Sequence, residues 1–474
     1  MSMPHRPILV LQMLRMGDLV LSFPLFLWLS RMYPDHPIWV VAEPTFYKGL
    51  MPLSPHVTYF PWTATDQLKQ HHYHLIVNLS HRIEAAKLCG MLEADEKIGP
   101  LEEKGGVHRI RGDWQLYRAS IVQNNRHNRY HYADLNALDI IPQRIIAATR
   151  WSRPQRQVPS NRRFRVGVFI GASQPEKRPD IQFSASFIDA LDKRGIHTVL
   201  FGGPGEKELG LSIQKATSAR LVNMCGRLTL AELFKVGMEM DLFVTPDTGP
   251  MHVAAWAGIP VFNLSMGPVN PWETGPYQPG HYVLRAAVSC LGCWSCSVDG
   301  AFCRPHFQPE ITASLIRRLL ATDRHSIRFR SPGLKLFCST RDTSGLYDLS
   351  PVGLPEDEAS LRERIAQFWK AWFAEIFQVT TPVSSHVIFC DLAETHPRLM
   401  PVWRRQLLHL GALIRNGVAT NASPPHNAFW KEFIPILRPL SGYIQLILEN
   451  NDYSKDAWRK TLHLYAQLAD VVHV

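Results

Sequence analysis

The sequence predicts an α/β protein of two doubly wound domains facing a cleft, followed by a mostly helical C-terminal extension. Three observations predict it. Short, continuously apolar segments alternate with helical stretches, the pattern of parallel strands covered on both faces. That alternation runs twice, on either side of a basic, Pro-containing interval. Beyond about residue 330 it gives way to long segments with Trp and Phe at helical spacing. The chain has 474 residues, 46% of them hydrophobic, enough to bury more than one core.

Each element has its own signal. Pro7–Gln12 is an apolar strand, Arg15–Asp18 a turn, and Leu19–Met32 a helix that Pro34 and Pro37 end. Ile38–Ala42 and Leu75–Leu79 are further strands of a first domain over residues 1–150. Trp151–Arg163 carries no apolar period and reads as a linker. The second domain, 164–330, opens with the strand Phe164–Ile170. Strands His197–Phe201, Asp241–Thr245 and Pro260–Leu264 follow, with helices Phe183–Lys193, Glu206–Thr217 and Leu230–Met238 between them. In the extension, 331–474, helices are expected at Leu361–Phe377, Leu399–Asn416, Ala428–Leu448 and Lys455–Val471, with the aromatic residues as core. The sequence assigns this extension no role.

Fifty-one Lys and Arg against 41 Asp and Glu leave a net charge of +10, which suits anionic partners without choosing among them. No apolar run approaches the ~20 residues that span a bilayer. Leu19–Leu29 lacks a cleavage site of small residues, so cytoplasmic residence is the expectation, at the inner face of the membrane if the partner is lipid-linked. There the eight cysteines are expected as thiols or metal ligands.

The segment Asp247-Thr248-Gly249-Pro250-Met251-His252 joins a buried-type strand to a small-residue helix through Gly258. A helix N-terminus presents free N–H groups and about half a positive charge, which favours a diphosphate. Asp247 is either a plain helix cap or a ligand contact. Asp18 follows the first strand of the other domain, so it too sits where ligands bind in open α/β sheets. Cys290, Cys293, Cys296 and Cys303 have spacing suited to a structural zinc ion, with free or redox thiols as the alternative. His71-His72-Tyr73-His74 reads as an exposed loop. Arg109, Arg111, Arg118, Arg126 and Arg129, mixed with Trp114, Tyr117 and Tyr130, read as a solvated basic face, with nucleic acid ranked last.

Four motifs together resemble glycosyltransferase family 9, the heptosyltransferase-like enzymes with the two-domain, Rossmann-like GT-B fold. They are Ile8-Leu9-Val10 to Met16-Gly17-Asp18, Lys177 beyond its strand, Gly202-Gly203-Pro204-Gly205-Glu206, and the segment Asp247–His252. Weaker matches are His131–Asp134 and Asn223–Leu233, and the resemblance covers about Ile8–Phe307. It implies sugar transfer from a nucleotide diphosphate donor, ADP-heptose by family default, to an anionic glycan or lipid-linked acceptor, with inversion and with no cofactor required. By the same resemblance Asp18 is the base, Lys177 neutralises the leaving diphosphate, and the basic stretch from Arg109 to Arg129 lies beside the acceptor, an alternative to its being a solvated face. Ser173, Gln174, Glu206, Asp247, Thr248, Gly249, Pro250, Met251 and His252 line the donor side. Where the family usually has Lys-x-Trp-Pro, this chain has Lys177-Arg178-Pro179-Asp180, so either Lys177 or Arg178 is the expected phosphate ligand. A degenerate nucleotide-sugar-binding scaffold and a GT-B-like epimerase remain as alternatives. The charge and exposed aromatics would give peripheral membrane contact without insertion.

Overall fold

The computed structural model describes residues 5–151, 163–290, 293–296, 298, 301–322, 327–353, 359–421 and 429–473. Most of the expected linker therefore lies outside the described residues. Strands β1 (Ile8–Leu11), β2 (Ile38–Val41), β3 (Thr58–Phe60), β4 (His72–Asn78), β5 (Glu93–Glu103) and β6 (Val107–Arg111) form one sheet in the order β3-β2-β1-β4-β5-β6. All neighbours pair in parallel except β5 and β6. The second sheet contains β7 (Arg165–Phe169), β8 (His197–Phe201), β9 (Val222–Asn223), β10 (Leu242–Pro246), β11 (Val261–Ser265) and β12 (Tyr282–Ala286). It is completed by β13 (Leu334–Arg341) and β14 (Tyr347–Pro351), and its order is β14-β13-β12-β11-β10-β7-β8-β9.

Each sheet reverses its strand order beside its first strand, β1 against β4 and β7 against β10. Such a switch point opens a crevice at the carboxyl ends of the strands. The strands there are fully buried, Ile8–Leu11 and Leu242–Pro246 among them, as continuous apolar runs in a two-faced sheet must be.

Several elements differ from the sequence expectation. The helix expected over Leu19–Met32 is two helices, Met16–Val20 and Phe23–Met32, because Pro24 in the first turn of the second lacks the N–H that would continue the first. Strand β12 is missing from the expectation because buried Arg285, its fourth residue, cuts its apolar run short. The extension begins with the antiparallel strands β13 and β14, which continue the second sheet beyond β12. Helices follow at Leu361–Ile376, Ser385–Thr395, Met400–Thr420, Arg438–Glu449 and Lys455–Val472.

The extension packs back onto both domains. Trp369, Trp372, Trp403 and Trp458 are among its fully buried side chains. Phe373 and Phe377 meet Tyr117 and Trp114 at ring distances of 4.6 Å each. The aromatic residues of the 108–130 stretch are therefore packed in the core, which leaves Trp114, Tyr117 and Tyr130 unable to stack on bases. Lys370 is bonded to Asp348 and Asp342, and Asp348 in turn to Arg129, so one buried ionic network joins the extension, β14 and the first domain. Burial alone would raise the Asp348 carboxyl, but Arg129 and Lys370 hold it well below the usual range.

Candidate active site

The two switch points face each other. The helix Met16–Val20 after β1 lies against the helix Gly249–Trp256 after β10, closely enough that a Cβ added to Gly17 would sit 3.1 Å from His252 Cδ2 and 3.6 Å from Gly249 Cα. Asp18 stands in the first turn of the former helix, where its Oδ2 accepts from the N–H of Arg15 at 3.1 Å. The capping position is Arg15, so Asp18 is inside the helix and its side chain helps to satisfy the helix end.

On the facing side the N-cap of Gly249–Trp256 is Thr248, and its side chain makes no capping hydrogen bond. Asp247 is not a cap. Its Oδ2 accepts from the Thr274 hydroxyl at 2.6 Å, and its Oδ1 lies 3.9 Å from His252 Nε2. Pro250 and Met251 are buried in the first helical turn, with the Met251 N–H turned back to the Thr248 carbonyl at 3.0 Å. His252 is buried, which pushes its pKa down. Asp247 and Asp18 act against that shift, and Lys177 reinforces it. Three of the charged residues that the family resemblance singles out thus act electrostatically on one imidazole, although they come from three separate segments and both domains.

Lys177 ends a short turn, Pro175–Lys177, after β7. The turn lies against Gly267, whose φ is +75° and whose added Cβ would fall 2.4 Å from the Glu176 carbonyl. Only glycine permits both that conformation and that approach. Arg178 is half-buried, whereas Ser173 and Gln174 are exposed. Glu206 Oε2 accepts from the Gly203 N–H at 2.8 Å, and the carboxylate also abuts Gly171, so the loops after β7 and β8 meet there.

Around these residues lies a buried polar layer that sequence reasoning missed. Glu273 accepts from Asn128 Nδ2 at 3.1 Å, and burial raises its pKa to about 7 against the hydrogen bonds of Asn128, Tyr132 and Asn125. Arg118 is buried and donates to the Leu79 carbonyl at 3.0 Å, with Tyr132, Asp18 and Glu273 opposing the downward pull of burial on its pKa. Asn270 donates to the carbonyls of Asn125 and Asn128, both at 2.9 Å, and ties this layer across the two domains. A signal for Glu273 and Thr274 existed: Asn270-Pro271-Trp272-Glu273-Thr274 follows strand β11 with a Pro-opened helical turn, as Asp247–His252 follows β10.

The expected zinc ligands do not assemble. Among the described residues no three His, Cys, Asp or Glu side chains are placed to hold a metal ion. Cys303 is buried, and its sulfur accepts from the Gly267 N–H at 3.3 Å, while the Cys296 thiol donates to the Val298 carbonyl at 3.3 Å. Cys290 and Cys293 are half-buried, and Leu291 and Gly292 between them lie outside the described residues. Burial raises the Cys293 pKa, and Cys296 and Cys290 add to the rise.

The model of glycosyltransferase family 9 (heptosyltransferase) matches residues 62–299, half of the chain. The chain belongs to glycosyltransferase family 9. A lipooligosaccharide heptosyltransferase 2 of Campylobacter jejuni subsp. jejuni serotype O:6 is 28% identical over 163 residues, 32% of this chain. That match spans 51% of the relative, about half its length. The lipopolysaccharide core heptosyltransferase OpsX of Haemophilus influenzae is 22% identical over 294 residues, 57% of this chain and 81% of that protein. The solved structure of an E. coli ADP-heptose lps heptosyltransferase II superimposes with a TM-score of 0.51 at 20% identity, covering 66% of this chain and 98% of that one. That likeness carries the family's two-domain fold. The extension's helices lie beyond the segment that the family model matches.

Proposed function

We propose that this family 9 chain transfers a sugar, heptose by family default, from a nucleotide diphosphate donor to a hydroxyl of an anionic glycan or lipid-linked acceptor, with inversion. The observation that carries the reading is the convergence of Asp18, Asp247 and Lys177 on His252 at two facing switch points. Asp18 takes the proton of the acceptor hydroxyl as its oxygen bonds to the anomeric carbon and the bond from that carbon to the diphosphate breaks. Lys177 and the N-terminus of the helix Gly249–Trp256 meet the charge that collects on the leaving diphosphate. Asp247, held by Thr274, accepts from a donor sugar hydroxyl, and Glu206 does the same for the ribose. The chemistry requires no metal.

Asp18→Asn is expected to lower kcat for heptose transfer from ADP-heptose to truncated-core lipopolysaccharide by ~10²- to 10⁴-fold, with donor affinity kept. Equal turnover in the variant would remove Asp18 as the base. The absence of Trp after Lys177 supports a second reading, a nucleotide-sugar-binding scaffold, and that reading expects donor binding with no Asp18-dependent transfer. We also propose peripheral contact of the chain with the inner face of the membrane. No helix among the described residues is long and apolar enough to cross a bilayer, and the +10 charge favours anionic lipid. Sedimentation with phosphatidylglycerol vesicles at low salt, lost at high salt, is the expected outcome, and no sedimentation at low salt would contradict it.

A further inference from the structure

A cavity of about 560 Å³ opens where the extension meets both domains. One wall is basic, with Arg126 from the first domain and Arg362 from the helix Leu361–Ile376. The other is apolar, with Leu361, Leu399, Ile434 and Ile436 from the extension. The two arginines are locked in place, since Arg362 Nη2 donates to the Arg126 carbonyl at 2.8 Å and Arg126 Nη2 to the Ser289 carbonyl at 3.0 Å. Their Nε groups are buried without a hydrogen-bond partner among the described residues, as is that of Arg285 close by.

Among the described residues that line the cavity, one carboxylate offsets this group in part. The nearest acid, Glu363, is already bonded to Lys335 at 2.6 Å and to the N–H and hydroxyl of Ser360. Burial lowers the Arg362 pKa to about 9, Arg285, Arg126 and Arg129 push it the same way, and Glu363 opposes them without restoring the usual value. Arg438 is lowered too, by burial and then by Arg126. Like charges gathered in a partly desolvated site are unfavourable until an anion joins them. Guanidinium forks match phosphate oxygens, and an apolar wall beside them suits hydrocarbon.

We propose that this cavity binds an anionic amphiphile, its phosphate-type head on Arg126 and Arg362 and its hydrocarbon on Leu361, Leu399, Ile434 and Ile436. The site does not depend on the transfer reaction, so the two readings fail separately. The test is calorimetric titration of the full chain with octyl phosphate below its micellar concentration, with octyl glucoside and inorganic phosphate as the other arms. Octyl phosphate is expected to bind saturably and more tightly than inorganic phosphate, with octyl glucoside silent. Arg362→Ala and Ile434→Ser are each expected to weaken it at least tenfold, and Arg362→Lys less, in variants whose unfolding transitions match that of the parent. Binding that is absent in the parent, or unchanged in a folded Arg362→Ala, overturns the proposal. Inorganic phosphate bound as tightly as octyl phosphate overturns it as well, because the apolar wall would then contribute nothing.

Discussion

Glu273 shows most clearly how a residue's surroundings set its behaviour. It is 3% exposed and lies among Asn128, Tyr132 and Asn125. Its pKa rises from 4.5 to about 7, so the folded protein holds a proton that the unfolded chain has released across that range. The stabilisation is complete below pH 4.5 and is lost as pH rises through 7, ~3 kcal/mol in all. Glu273→Gln should abolish that decline, which denaturant melts of both proteins at pH 5 and pH 8 would measure; an identical decline in the variant would rule Glu273 out as its source. Burial acts in the opposite sense on His127, whose pKa falls to about 3 with Arg362 and Arg126 adding to the effect. Its stabilising contribution is present above pH 6.5 and lost as pH falls towards 3. At this scale the placement of Asp18 and Asp247 at facing strand ends was legible, because each follows a strand directly, while their roles belong to the proposal. The sequence placed Arg118 in a basic, solvent- or acceptor-facing stretch and was silent on Arg285, because nothing local says that an Arg will be buried and bonded to distant carbonyls.

At the scale of elements, the loop carrying Lys177 is positioned by backbone packed on backbone. An alanine at Gly267 would need room where the Glu176 carbonyl stands 2.4 Å away, in a φ that disfavours side chains. Gly267→Ala should therefore displace the Pro175–Lys177 turn and weaken ADP binding several-fold, while ultraviolet circular dichroism stays the same. Unchanged affinity would mean that the turn does not hold the diphosphate. In the extension, the helices Met400–Thr420 and Lys455–Val472 approach through Gly417, where an added Cβ would lie 2.5 Å from the Trp458 ring. Gly417→Ala should cost ~1–3 kcal/mol by overpacking, read as a lower denaturation midpoint, and no loss would mean that Trp458 is free to move. Three of the long helices were legible to within a few residues, since aromatic residues at helical spacing mark a buried stripe, whereas the one expected over Ala428–Leu448 begins only at Arg438, with Pro439 in its first turn, and Ser385–Thr395 was not expected. Strands β13 and β14 were not, because they alternate buried and half-buried positions and carry polar residues on one side.

Over the whole molecule, a single hydrophobic cluster runs from the first sheet through the inner side of the second domain into the extension. Phe23 of the first domain meets Trp256 of the second at 5.5 Å, and Trp256 Nε1 donates to the Leu53 carbonyl at 2.7 Å. The family segment therefore does not end in a free surface. A chain cut after residue 322 would leave β12 without its antiparallel partner and Trp114, Tyr117 and Tyr130 without their cover. It is expected to elute as aggregate in size-exclusion chromatography, and a folded monomer would show the extension to be dispensable. The fold class and the facing of two α/β domains were legible because strand alternation is a local signal repeated many times. Where the extension sits was not, since the contact between Lys370 and Asp348 links residues through three-dimensional packing alone. The central claim is that the cleft between Asp18 and Asp247 holds a nucleotide sugar, and thermal unfolding with a panel of nucleotide sugars, ADP-heptose among them, tests it most directly. One member at ~100 times its Kd should add ~2.7 kcal/mol to the folded state, and Asp247→Ala should lose most of that gain. No shift across the panel, or the same shift in Asp247→Ala, would contradict the account.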